Sequence, residues 1–148
     1  MKISSIHDLE KISNKIKKKL APGDVIFLYG EIGVGKTTFA RLLINNYEKE
    51  KNLKISEVLS PTFNIVFEYD VKELTIKHYD LYRLKNCSDI KNIGLFEDLE
   101  RTITLIEWPE LIIEKPANRI DLFLEYSENM IERSLIIKTS GRLKIHEF

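Results

Sequence analysis

Eight consecutive residues, Gly30-Glu31-Ile32-Gly33-Val34-Gly35-Lys36-Thr37, carry the spacing G-x-x-x-x-G-K-T. Three of the chain's six glycines fall in this stretch. Glycines let consecutive backbone N–H groups converge on one point, and such a nest binds phosphate oxygens. A helix starting there adds the positive end of its dipole. Lys36 has the reach for β- and γ-phosphates, and the Thr37 hydroxyl could take one position on Mg²⁺. A ligand-free strand-to-helix turn rich in glycine is the bland alternative. The flanks argue against it: Val25-Ile26-Phe27-Leu28-Tyr29 reads as a buried strand, and Thr38, Phe39, Ala40, Leu42, Leu43 and Ile44 show helical spacing.

Phosphoryl transfer also needs an acid near the metal and a group that positions the attacking atom. In open α/β sheets, ligands sit at the carboxyl ends of strands. Glu107 follows the apolar run Ile103–Ile106, and Asp80 ends the run Leu74–Tyr79. Glu107 could order Mg²⁺ directly or through water, orient a hydrolytic water, or be a plain surface acid. Asp80 could join the site or simply cap a turn. Ser60-Pro61-Thr62-Phe63 places Thr62 between the loop helix and the next strand, where switch threonines of nucleotide hydrolases lie. Trp108, the only tryptophan, could pack the sheet end, shield the site or face a partner, and packing is the simplest role.

The elements around these residues alternate. Leu9, Ile12, Ile16 and Leu20 predict a helix over 9–20, with Lys17-Lys18-Lys19 on its solvated face. Ala21-Pro22-Gly23-Asp24 turns the chain into the strand at 25–29. Runs 63–70 and 74–80, separated by Val71-Lys72-Glu73, predict a hairpin. Helical spacing recurs within 86–100, and Thr102–Ile106 is β-branched and apolar. Pro109 and Pro116 bracket a short helical or irregular piece. Strands at 120–126 and 134–139 flank a polar turn. The pattern predicts one α/β domain over 1–148, three-layered, with a mixed, mostly parallel central sheet and hairpins.

Composition narrows the class. Hydrophobic residues make up 43% and charged residues 31% of 148 positions, as in an ordinary globular protein. Lys+Arg and Asp+Glu each number 23, so the chain lacks the basic excess of a protein that grips nucleic acid alone. Any RNA is expected to be held by a partner. Cys87 is the only cysteine, which excludes an internal disulfide and fits a reducing cytoplasm. The N-terminus has no apolar leader pattern, and no run approaches a membrane span. The three histidines share no ligand spacing with Cys87, against a zinc site.

The ordered blocks Gly30–Thr38, Ser60-Pro61-Thr62-Phe63, His78-Tyr79-Asp80-Leu81-Tyr82-Arg83-Leu84 and Ile106-Glu107-Trp108-Pro109-Glu110 together resemble the TsaE (formerly YjeE) family. These are small bacterial ATPases of threonylcarbamoyladenosine synthesis on tRNA. The resemblance implies a P-loop fold that binds ATP and Mg²⁺ and hydrolyses ATP slowly. It implies phosphate contacts from Gly33, Val34, Gly35, Lys36, Thr37 and Thr38, with Thr37 on the metal. Asp80 and Glu107 would be the acids around magnesium and the γ-phosphate, Thr62 would lie in the switch-like segment, and Trp108 beside the site. The implied partners are the TsaD–TsaB pair, which modifies adenosine 37 of tRNAs reading ANN codons. The chain would reset that complex between rounds and meet tRNA only through it. Family members commonly have Asp at position 31 and Ala at position 34. Glu31 and Val34 are expected to lend mainly backbone there. Leu9 and its neighbours could wall an adenine pocket, and Arg133 is a candidate nucleotide contact.

Other functions use the same loop. A small-molecule kinase would employ Asp80 as base, but the chain is short and shows no arginine-rich lid. A GTPase would need Asn-Lys-x-Asp, and Asn14-Lys15 is followed by Ile16-Lys17. A non-catalytic binding module would keep its role without Lys36.

Overall fold

Every residue from 1 to 148 is described in the computed structural model. In chain order the elements are β1 (Lys2–Ile3), α1 (Ile6–Lys17), β2 (Val25–Tyr29), α2 (Lys36–Glu50), β3 (Val66–Val71), β4 (Leu74–Asp80), α3 (Cys87–Asn92), β5 (Thr102–Glu107), β6 (Arg119–Tyr126) and β7 (Arg133–Ser140). The strands form one sheet ordered β1-β7-β6-β2-β5-β4-β3. The four central strands β6-β2-β5-β4 run parallel, and the pairs toward both edges are antiparallel. The sheet is therefore mixed, with its parallel pairing at the centre.

The pleat of β2 divides its side chains between two cores. Ile26 and Leu28 join Phe39, Leu43 and Ile44 of α2 and Ile12 and Ile16 of α1 on one face. Val25 and Phe27 join Tyr79, Ile90, Leu95 and Ile112 on the other. Burial on both faces explains why β2 and β5 read as continuous apolar runs rather than alternating ones. Each fully buried Phe or Leu contributes about 1.5–3 kcal/mol, and Phe27, Phe39, Leu28 and Leu43 are fully buried. Helices α1 and α2 cover one face and α3 with its turns the other, giving three layers.

Element ends depart from the sequence reading where side chains intervene. Helix α1 starts three residues before Leu9, because Ser5 and Asp8 form a reciprocal capping box. Strand β3 starts at Val66 rather than 63. Ile65 has φ 69°, its N–H bonds Pro61 O, and its carbonyl takes Asp80 N–H, so residues 61–65 form a turn. Within 86–100 only Cys87–Asn92 is α-helical. Gly94 at φ 62° stops it, as a left-handed glycine after a helix does. The two-residue β1 was not foreseen; it is too short to leave a pattern and pairs with β7. No helix is long and apolar enough to cross a membrane.

Candidate functional site

The loop after β2 needs glycine for a packing reason as well as a conformational one. At Gly30, φ is 146°, and a Cβ would lie 2.5 Å from Leu124 O and 2.7 Å from Val34 Cγ1. At Gly35, φ is 125° and a Cβ would meet nothing within 4 Å, so this residue faces open space. Gly35 supplies no side-chain cap to α2, and the first-turn N–H groups have no intrahelical acceptors. They are available to an anion. Val34 corrects one expectation. Its side chain is 2% exposed and belongs to the α1/α2 core, so position 34 anchors the loop rather than lending backbone alone.

Lys36 folds back over its own loop. Its ammonium donates to Gly30 O and, at 2.9 Å, to Glu31 O, and lies 4.0 Å from the centre of the Trp108 ring. Burial lowers the Lys36 pKa, opposed by the carboxylates of Glu107, Glu110, Asp80 and Glu31.

The parallel β4–β5 register sets Asp80 beside Glu107. Both point to the α2 face at the carboxyl ends of their strands, and both are almost fully buried. Thr37 Oγ1 donates to the Glu107 carboxylate, lying 2.9 and 3.0 Å from its two oxygens. On Asp80, Oδ2 accepts from Ser60 Oγ at 2.5 Å and Thr62 Oγ1 at 3.0 Å, while Oδ1 accepts from Tyr82 N at 2.9 Å. Asp80 thus caps a turn and faces the site at once. Lys36, Thr37, Thr62, Asp80, Glu107 and Trp108 line one cavity of about 360 Å³ with Gly33, Gly35 and Thr38. Trp108 is half-buried, packing against the α3-side core while it lines this cavity. Its backbone is left-handed at φ 58°, and its ring lies 4.9 Å from that of Tyr82.

The donor set suits magnesium. Thr37, Glu107 and Asp80 bring hydroxyl and carboxylate oxygens to one cavity, and hard oxygen ligands are what Mg²⁺ takes. No group of three or more His, Cys, Asp and Glu side chains gathers to hold a metal by itself.

A second cavity of about 330 Å³ adjoins the first through Gly33, Gly35 and Thr38. Ile3, Leu9, Leu124, Ile131 and Arg133 wall it. Arg133 Nη1 donates to Ile131 O at 2.7 Å, and its guanidinium lies 5.0 Å from the Tyr126 ring centre.

Sequence reasoning assigned no role to Ser60, Tyr82 or His78. His78 is fully buried, and its Nε2 lies 2.7 Å from Glu107 Oε2. A signal for it existed: residues i and i+2 of a strand share a face, so a strand ending in Asp80 aligns His78 with it.

A family model described as Threonylcarbamoyl adenosine biosynthesis protein TsaE matches residues 3–135. The tRNA threonylcarbamoyladenosine biosynthesis protein TsaE of Rickettsia conorii is 37% identical over 149 residues, spanning 90% of this chain and 83% of that protein. The Bacillus subtilis protein of the same name is 36% identical over 107 residues, spanning 70% and 63%. Among solved structures, Bacillus subtilis YdiB matches with a TM-score of 0.73 at 26% identity, over 95% of this chain and 84% of that one.

Proposed function

The chain belongs to the TsaE family of threonylcarbamoyl adenosine biosynthesis proteins, and from that premise we propose that it is a magnesium-dependent ATPase serving the tRNA modification complex. The observation that carries the proposal is the Thr37 hydroxyl on the Glu107 carboxylate, directly under the phosphate loop. A loop threonine and a strand-end acid brought together are the pair that holds magnesium in P-loop hydrolases.

On this reading, triphosphate enters the Gly33–Thr38 cradle and Lys36 leaves the Gly30 and Glu31 carbonyls for phosphate oxygens. When bound, Mg²⁺ neutralises charge developing on the β- and γ-phosphate oxygens. Thr37 and Glu107 would hold it, with Asp80 beside them. Ser60 and Thr62, tethered to Asp80, place the 60–65 turn where it can sense the γ-phosphate. Water attacks the γ-phosphorus, the bond to the bridging oxygen breaks, and ADP and phosphate leave. The adjoining cavity takes the base, with Leu9 on one wall and Arg133 at its edge.

The partners on this reading are TsaD and TsaB, with ATP turnover resetting their complex and tRNA met only through them. The small-molecule kinase is disfavoured, because the chain is short and shows no arginine-rich lid. Phosphate release from ATP, measured with TsaD–TsaB present, tests the proposal. Release that stops with a magnesium chelator and is lost in Lys36→Ala supports it. Release indifferent to both refutes it.

A further inference from the structure

His78 lies on the α2 face of β4, one pleat below Asp80, and its imidazole is sealed from solvent. Its two nitrogens have opposite fates. Nε2 lies 2.7 Å from Glu107 Oε2, whereas Nδ1 is buried with no hydrogen-bond partner. A carboxylate oxygen can only accept, so Nε2 must carry a proton. The 2.7 Å approach to a carboxylate therefore makes Nε2 the donating nitrogen of the ring.

From this geometry we infer that His78 is a positioning residue: its Nε2–H anchors Glu107 Oε2, so that Oε1 is presented to Thr37 and to the metal. The inference rests on the reading of Glu107 as the magnesium-site acid. The physical need is clear. A carboxylate at a strand end keeps rotational freedom about its side-chain bonds, and Thr37 alone bridges both oxygens without choosing between them. A donor rising from inside the sheet breaks that symmetry. His78 needs no contact with nucleotide to do this, and it lines neither cavity beside the loop. Partners that orient metal ligands typically govern metal affinity or activity by about 10–100-fold.

Two measurements test it. The first is ¹⁵N NMR of the imidazoles in the wild-type protein without nucleotide. A proton on His78 Nε2 is expected; protonation at Nδ1 alone overturns the inference. The second is calorimetric ADP affinity with and without Mg²⁺ for wild type, His78→Leu and His78→Gln. Gln can place an amide N–H near the Nε2 position, and Leu cannot. The increment in affinity due to Mg²⁺ should fall by roughly tenfold or more in His78→Leu, with metal-free affinity kept, and recover in His78→Gln. A full increment in folded His78→Leu, or an equal loss in both variants, overturns it. If the wild type itself binds no nucleotide, the ATPase reading fails, and the tautomer measurement still decides the His78–Glu107 bond. It also decides the matter should the variants not fold.

Discussion

Asp80 and Glu107 stand side by side in the parallel β4–β5 register, yet each carboxylate is engaged by different hydroxyls. Glu107 takes Thr37 from the phosphate loop, and Asp80 takes Ser60 and Thr62 from the turn before β3. One acid is thereby coupled to the loop and the other to the switch-like segment.

Replacing Glu107 by Gln should separate binding from turnover. The amide keeps the volume and one acceptor but loses the charge that would face magnesium. Nucleotide binding should persist, while the turnover number drops by about a hundredfold. Equilibrium binding of ADP alongside single-turnover hydrolysis checks both halves.

Trp108 should report loop occupancy. It is the only tryptophan, and the Lys36 ammonium lies 4.0 Å from its ring centre. Phosphate that draws Lys36 away changes the field on the indole, so emission should change on ADP addition. In Lys36→Met the free-state emission should already differ, and ADP should add little. A fluorescence titration of both proteins measures this.

Gly30→Ala should destabilise the fold as well as the site. Its Cβ would lie 2.5 Å from the Leu124 carbonyl oxygen at φ 146°, and β6 cannot retreat without parting from β2. Overpacking of this kind costs about 2 kcal/mol. Urea unfolding should show that loss, whereas Gly35→Ala, facing open space, should lose less stability and more nucleotide affinity.

Asp24 makes stability depend on pH. It is 1% exposed, and burial raises its pKa above 3.8, against the lowering effects of the Ala21 N–H and Arg142. A carboxyl whose folded pKa lies above its unfolded value binds its proton more tightly when folded. Its contribution is full below pH 3.8 and is lost as pH rises through the folded pKa. Relative to Asp24→Asn, the wild type should lose stability from pH 3.8 upward and then level off. Urea unfolding of both proteins across that range gives the sign.

Much of this was legible in the chain, and the reason differs by region. β2 appeared with its exact ends because burial on both faces writes a continuous apolar run closed by Gly30. The glycine loop between β2 and α2 was legible because a short motif fixes its local geometry, whereas Asp80 read equally well as a turn cap. What hid was tertiary. Phe63–Ile65 reads as strand by residue type, but Ile65 is held at φ 69° by a bond to Pro61 and one from Asp80, and the second of these is a partner that no local pattern reveals. Val34 looked like loop backbone because its burial depends on α1 and β6. Trp108 packs on the core as its type suggests, but nothing nearby in sequence announces Lys36 over its ring. His78 gained its meaning only when β4 and β5 were laid side by side.

The central claim is that nucleotide turnover at Lys36 serves the tRNA-modifying complex. Its most direct test counts threonylcarbamoyladenosine formed per TsaD–TsaB complex, on tRNA with ATP, adding either the wild-type chain or Lys36→Ala. Product well beyond one per complex is expected with the wild type, and a stall near one with Lys36→Ala. Continued turnover with Lys36→Ala, at the wild-type rate, would contradict it.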